Sequence, residues 1–279
     1  LPYWLRLTLT PGVGGESRRR LLKVFGLPEA VFSADAGALV AAAGPVVAAR
    51  LLGHDTTADV AAALAWSELA GNHILTLADE AYPRALLDCP DPPLLLYVKG
   101  DVTLLSQAAV AIVGSRNASQ QGAKDAQAFA ASLARAGLVV ISGLAMGIDA
   151  AAHRGALSVV GATLAVIGTG IDRIYPSANE TLAREIAARG TIVSEFPLGT
   201  PPLAANFPRR NRVIAGMALG CLVVEAADRS GSLITARLSA ESGREVFAVP
   251  GSIHPPLARG CHKLIRQGAK LVESAEDVL

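Results

Sequence analysis

Between residues 108 and 250 the chain repeats one pattern: a short apolar run, a glycine-containing turn, then a stretch of helical length. The runs read "AAVAIVG", "GLVVISG", "ATLAVIG", "GTIVSE", "GCLVVEA" and "REVFAVPG". Their Val, Ile and Leu residues do not alternate with polar ones. A strand of that kind must be covered on both faces, which a parallel sheet with helices on each side provides. The predicted fold is therefore α/β, a Rossmann-like, doubly wound, mainly parallel sheet over residues 108–279. In such sheets ligands bind beyond the carboxyl ends of the strands, where the strand order reverses.

The first hundred residues carry no such repeat. "LTPGVGGESRRRLLKVFGLPEAVF" sets a Pro-Gly-Val-Gly-Gly turn before a helix with three adjacent arginines, Arg18, Arg19 and Arg20, and puts Gly26 ahead of the next helix. Such turns between short helices fit a small helical domain over residues 1–70, sterile-alpha-motif-like or helix-hairpin-helix-like. Its basic helix is either a phosphate-holding module or the solvated face of a plain bundle. Residues 71–107 read as a connecting segment, because "YPRALLDCPDPPLLLYVKGD" is proline-rich, with a strand at 94–98 expected to extend the large sheet.

A formal net charge of +1 excludes a globally basic polymer-coating protein, so any nucleic-acid affinity must come from a local cluster. The longest apolar run, "VIAGMALGCLVV", lies between Arg212 and Glu225 and falls short of the roughly 18 residues that cross a bilayer. The first residues carry no basic segment leading into an apolar one, so no secretory signal is expected and the start at Leu1 reads as trimmed. Cys89, Cys221 and Cys261 are odd in number and lack metal-binding spacing. A cytoplasmic chain with neither a metal nor a membrane anchor is expected.

The densest charge lies in "FPRRNRVIAGM", where Arg209, Arg210 and Arg212 surround Asn211 just before apolar sequence. Guanidinium forks match phosphate geometry, Phe207 offers a stacking face, and Asn206 is a candidate helix cap. The segment follows the run "TIVSE" and belongs at the carboxyl edge of the sheet. There it meets "VGSRNASQQG", in which Ser115 and Arg116 follow the first strand and Ser119 is placed to cap a helix. A strand-to-helix turn of this kind aims free amides at an anion. Neither G-x-G-x-x-G nor G-x-x-x-x-G-K-[ST] is present, so no nucleotide cofactor is expected.

Three further loops join the same edge. In "SGLAMGIDAAAHRGAL", Gly143 and Gly147 allow close backbone approach, while Asp149 and His153, four apart, read as a structural hydrogen-bonded pair rather than an acid/base pair. "GTGIDRIYPSAN" adds a glycine turn with Asp172, Arg173 and Tyr175 outside it. In "VVEAADRSGSLITA", Ser230, Gly231 and Ser232 make an amide-rich helix start with Thr235 one turn inside, and Glu225 is expected to orient an arginine.

With these motifs, "SEFPLG", "FAVPGS" and "LIRQGA" all in order, the chain resembles the DNA-processing protein A family, DprA or Smf, over about residues 80–279. The resemblance implies a cytoplasmic bacterial protein that binds and protects incoming single-stranded DNA, forms a homodimer and loads a RecA-type recombinase during natural transformation. It puts Ser115, Arg116, Gly143, the Asn206–Arg212 segment and the Ser230–Thr235 helix start around one basic pocket, without catalysis. Gly260, Cys261 and His262 depart from the family's usual Gly-x-Asn, and a C-terminal winged-helix module common in the family is absent or removed after "AEDVL". The alternative is a nucleotide phosphoribohydrolase on a similar fold. Its P-G-G-x-G-T-x-x-E loop is not matched by "RSGSLITARLSAE", which has Arg237 or Leu238 where the glutamate is needed.

Overall fold

The computed structural model describes residues 1–159 and 163–279, so Ala162, which opens the third apolar run, lies outside the described residues. Nine strands form one sheet: β1 (Asn72–Thr76), β2 (Leu95–Gly100), β3 (Ala109–Val113), β4 (Val139–Ser142), β5 (Thr163–Val166), β6 (Thr191–Ser194), β7 (Gly220–Val223), β8 (Glu245–Ala248) and β9 (Lys270–Leu271). Their order is β1-β2-β6-β5-β4-β3-β7-β8-β9. Strands β3 to β9 are mutually parallel, and β2 and β1 add an antiparallel edge on β6. All six apolar runs contain a strand, and the run at 94–98 supplies β2. The sequence reading misses β1, whose "NHILT" is too short to show a period, and β9, two exposed residues long.

Alternation within β3 explains the two helical layers. Ala109, Ala111 and Val113 face one core with Val213, Ile214 and Met217, while Val110 and Ile112 face another with Phe129, Leu133 and Ile148. On the first face lie α7 (Arg84–Leu87), α11 (Asn206–Met217), α12 (Ser232–Glu241) and α13 (Arg259–Arg266), and on the second α8 (Gln120–Arg135), α9 (Ile148–Leu157) and α10 (Glu180–Arg189). Neither face of a central strand meets water, which is why its sequence does not alternate.

Six helices precede the sheet: α1 (Pro2–Leu9), α2 (Gly15–Phe25), α3 (Pro28–Ser33), α4 (Ala36–Ala43), α5 (Pro45–Gly53) and α6 (Thr57–Ser67). Leu7, Val13, Leu21, Val31, Leu39 and Leu51 make their own core, closed on one side by Leu94. Leu5 of α1 and Ala63 of α6 instead pack with Ile74, Tyr97 and Ile192, seating the helices on the antiparallel edge of the sheet. Two of the α2 arginines turn toward the rest of the chain, and Arg20 stays on the solvated face. Arg18 Nη2 donates to the Thr8 carbonyl at 2.5 Å, Arg19 pairs with Asp91, and Arg20 pairs with Glu16 at 2.9 Å.

Candidate nucleic-acid interface

The strand order turns at β3, because the chain moves outward to β4, β5 and β6 on one side and returns to β7 on the other. The crevice there is open by topology, since helices following β3 and β7 depart on opposite faces of the sheet. It forms a cleft of about 730 Å³ lined from the loops after β3, β4, β5, β6 and β7. Ser115, Arg116, Phe207, Arg210, Asn211, Ser230, Gly231, Ser232 and Thr235 all line it, joined by Tyr175 and Arg229.

The loop after β3 is built as the spacing suggests. Ser119 caps α8, its hydroxyl accepting from Gly122 N at 2.9 Å. Ser115 is buried and its hydroxyl accepts from Asn117 N at 3.1 Å, which turns the chain so that Arg116 stands exposed at the rim. Among the described residues no carboxylate lies within 4.0 Å of Arg116. Its guanidinium carbon sits 5.5 Å from the centre of the Phe207 ring, and that ring is tilted against Tyr175 at 5.5 Å. A free cation beside two aromatic faces is thus presented at the cleft mouth.

Glu225 does not orient an arginine. Its carboxylate accepts from Ser119 N at 2.9 Å and from the Ser119 hydroxyl at 2.5 Å, so its charge sits at the positive end of α8 rather than in the cleft. The expected cap at Asn206 is also not formed. Asn206 is the first residue of α11, caps nothing with its side chain, and stays outside the cleft lining.

The loop after β4 is held under backbone strain. Leu144 is a buried, non-glycine residue in the left-handed region at φ 59°, and Gly147 at φ 75° could not carry a side chain without meeting the Ser115 carbonyl oxygen 2.2 Å away. Two side chains clamp it. Asn179 Nδ2 donates to the carbonyls of Leu144 and Ala145 at 2.9 and 3.1 Å, and Asp149 Oδ2 accepts from the amides of Gly143 and Ala145 at 3.1 and 3.4 Å. Strain kept by several independent partners is a property of sites more than of scaffolds. Burial pushes the Asp149 carboxyl up, against the pull of Arg210 and these two amides.

Asp149 and His153 are not bonded to each other. His153 Nδ1 lies 2.8 Å from the Thr163 hydroxyl, which itself donates to the Val140 carbonyl at 2.8 Å, so Nδ1 must carry the hydrogen. Nε2 is then a bare acceptor buried without a partner, and burial lowers the imidazole pKa to about 3. This histidine is neutral and structural.

Helix α11 divides the arginine cluster. Arg210 points under the cleft, where it is 5% exposed and Nη1 donates to the Gly143 carbonyl at 2.6 Å and to the Val166 carbonyl. A side chain at residue 143 would meet that guanidinium at 2.4 Å, so Gly143 is present to let it pass. Burial lowers the Arg210 pKa to about 10, with Asp149 opposing and Arg116 reinforcing the fall, and the group stays charged at neutral pH. Asn211 Nδ2 reaches the Gly231 carbonyl at 3.4 Å, tying α11 to the start of α12, where Ser232 N donates to the Ser230 hydroxyl at 3.4 Å and Leu233 N and Ile234 N donate to the Ser230 and Gly231 carbonyls at 3.1 Å.

Arg209 and Arg212 turn the other way. Both pair with buried Glu195, Arg209 at 3.2 Å, and Arg212 also donates to the Asp91 carbonyl at 2.6 Å. They line a separate crevice between the sheet and the helices α1 and α2. Positions 207, 210, 211 and 214 face the cleft and 209 and 212 the opposite side, as the 3.6-residue period requires. Arg229 and Asn179 are site residues that sequence reasoning passes over, and Tyr175, which it places beside a glycine turn, is not assigned to the pocket. Only the proximity of Tyr175 and Arg229 to glycine turns signals them.

His262 in the departing Gly260-Cys261-His262 segment sets Nε2 2.9 Å from the Gly251 carbonyl oxygen. Cys261 is buried, with its thiol against the Val223 and Val224 carbonyls at 3.6 Å. The substitutions therefore keep this segment joined to the strands beside it.

Residues 73–279 match the family model described as DNA recombination-mediator protein A. Protein Smf of Escherichia coli is 47% identical over 79% of this chain and 59% of its own length, and the DNA processing protein DprA of Streptococcus pneumoniae is 50% identical over 73% of this chain and 72% of its own. The chain thus spans less than two thirds of the Escherichia coli relative. The X-ray structure of the Streptococcus pneumoniae protein superposes with a TM-score of 0.88 at 40% identity, covering 100% of this chain and 96% of that one. DNA processing protein A from Helicobacter pylori, solved for its single-stranded DNA binding mode, superposes with a TM-score of 0.68 at 30% identity over 74% of this chain and 94% of that one. By sequence across most of its length and by fold across all of it, this chain belongs to the DNA recombination-mediator protein A family.

Proposed function

We propose that the cleft at the sheet's switch point binds single-stranded DNA and that the chain acts as a recombination mediator. The observation that carries this is Arg116, an exposed guanidinium with no carboxylate partner among the described residues, set beside the Phe207 ring, which packs on Tyr175, and sharing the cleft with the Ser230 and Ser232 hydroxyls. Phosphates are held by forked donors and amides, and unpaired bases stack on aromatic faces, a combination that favours single strands over duplex. Arg210 contributes from below, as a fixed positive charge that does not have to move. The binding mode named for the Helicobacter pylori relative supports the same assignment.

The chemistry favours holding over cutting. Asp149 is the sole carboxylate among the described residues lining the cleft, and two backbone amides occupy it. Arg237 and Glu241, which stand near the glutamate position of the phosphoribohydrolase loop, pair with each other at 3.6 Å on the outer side of α12. No helix among the described residues is long and apolar enough to cross a membrane. A cytoplasmic homodimer that protects incoming DNA and passes it to a RecA-type recombinase during natural transformation completes the reading.

The test is binding of fluorescent oligo-dT across a salt titration, with duplex of equal length as competitor. Preference for the single strand, with log affinity falling by about 0.7 per phosphate neutralised for each unit of log salt, supports the cleft mechanism. No binding at low salt, or release of free base from nucleoside monophosphates, brings the enzyme reading forward.

A further inference from the structure

The crevice that receives Arg209 and Arg212 is a second basic region, and its charges do not balance. It is small, about 140 Å³, and lies where α1 and the start of α2 meet the loop before β2 and the loop after β6. Arg18, Arg209 and Arg212 line it around one buried carboxylate, Glu195, while Asp91 is shared between Arg19 and Arg212. Glu195 pairs with Arg209 and Arg212. Among the described residues Arg18 has no carboxylate within 4.0 Å, and its one hydrogen bond goes to the Thr8 carbonyl.

A largely buried guanidinium with no carboxylate in contact is costly, and native proteins rarely leave one. The Nε groups of Arg18 and Arg212 are in addition buried donors without an acceptor. Burial first, and then repulsion from Arg209, lowers the Arg18 pKa to about 10 against the more distant pull of Glu195. Gly15, the first residue of the eleven-residue helix α2, also lines the crevice, and Gly14 leaves the first amides of that helix without a side-chain cap. Glu195 opposes an anion here, but its charge is already divided between two arginines, and its Oε1 faces no donor.

We propose that this crevice is a phosphate site, in which Arg18 and Arg209 hold a phosphate group beside the first amides of α2. It is separate from the cleft, because α11 lies between them and sends different residues to each. The group is either a free phosphate or one unit of a DNA backbone that continues past the cleft, and both present the same oxygens to the same forks. The site stands whether or not the cleft binds DNA.

Thermal unfolding of the whole chain in inorganic phosphate, against chloride at equal ionic strength, tests it. The midpoint should rise in a saturable way, by roughly 2–4 °C once phosphate exceeds its Kd about ten-fold. Arg116→Ala should keep that rise and Arg18→Gln should lose it. Arg18→Lys, which retains the charge without the fork, should bind phosphate several-fold more weakly, and it serves as the readout if the glutamine variant folds poorly. No saturable rise in the unaltered chain, or a rise that Arg116→Ala abolishes and Arg18→Gln keeps, overturns the proposal. The source follows from oligo-dT titrations: a salt slope about 0.7 smaller in Arg18→Gln assigns the site to the DNA backbone, and an unchanged slope assigns it to a free phosphate.

Discussion

Helix α11 serves two basic regions that treat arginine in opposite ways. On its cleft side Arg210 is sunk beneath the floor and bonded to main-chain carbonyls, and the charge offered to a ligand is Arg116 from another loop. On its other side Arg209 and Arg212 share a buried glutamate and join the sheet to the helices before it. Three arginines within four residues thus hold a floor and a seam, and the exposed cation beside Phe207, Arg116, comes from 93 residues before Arg209. Within the cleft, the guanidinium that fixes structure is buried and bonded to the main chain, whereas the one that faces a ligand is exposed and has no carboxylate partner among the described residues.

The sharpest test of this contrast is Arg210→Ala. Removing the guanidinium leaves the Gly143 and Val166 carbonyls without their donor and takes away the charge that pulls the buried Asp149 carboxyl down. Urea unfolding should report a loss of about 4 kcal/mol, since bonds to charged groups contribute about 1.5–3 kcal/mol each. A stable variant that has lost only DNA affinity would make Arg210 a ligand-binding arginine and erase the distinction.

Glu195→Gln tests the seam. Burial pushes this carboxyl up while Arg212 and Arg209 hold it down, and neutralising it leaves two guanidiniums facing one another. The expected cost is about 2–3 kcal/mol, below the roughly 3–5 kcal/mol for a fully buried pair because Arg209 is half exposed. Oligo-dT affinity should change little if the two sides of α11 are independent. A large fall would mean that the seam positions the cleft.

Arg116→Ala is the complement. Unfolding free energy should move by no more than about 0.5 kcal/mol, as for exposed positions generally. Oligo-dT affinity should drop about 10- to 100-fold, the worth of one charge-assisted phosphate contact. Normal binding by a folded variant would assign the DNA to another surface.

His153 provides a reference outside both regions, with the smallest effect. Its folded-state pKa, about 3, lies below the unfolded value near 6.5, so the unfolded chain takes up the proton first as pH falls. Its contribution is complete above about pH 6.5 and is lost on acidification, by about 1 kcal/mol at pH 5.7. Unfolding curves for the parent and His153→Asn should converge as pH falls through this range. A constant difference would mean that the imidazole does not titrate on unfolding.

Much of the site was legible in advance. Ser119 as the cap of α8, Arg116 at the rim, Phe207 as an aromatic wall and the Ser230–Ser232 turn at the cleft all follow from glycine turns after apolar runs. The misreadings share one cause. Glu225 and Arg212 were assigned by neighbours in sequence and took partners farther along the chain, Ser119, and Glu195 with Asp91, while Asp149 turned from His153 to the amides of the strained loop just before it.

The sequence by itself determined the layers: apolar runs without alternation demand a sheet covered on both sides, and turns of glycine and serine demand open amides at its edge. Which cation is spent on structure and which is left for a ligand was decided only in the tertiary structure. That depends on the direction each side chain takes from its helix and on which carboxylates and carbonyls the fold brings within reach. Local sequence carries the period of the helix but not what lies opposite each of its faces.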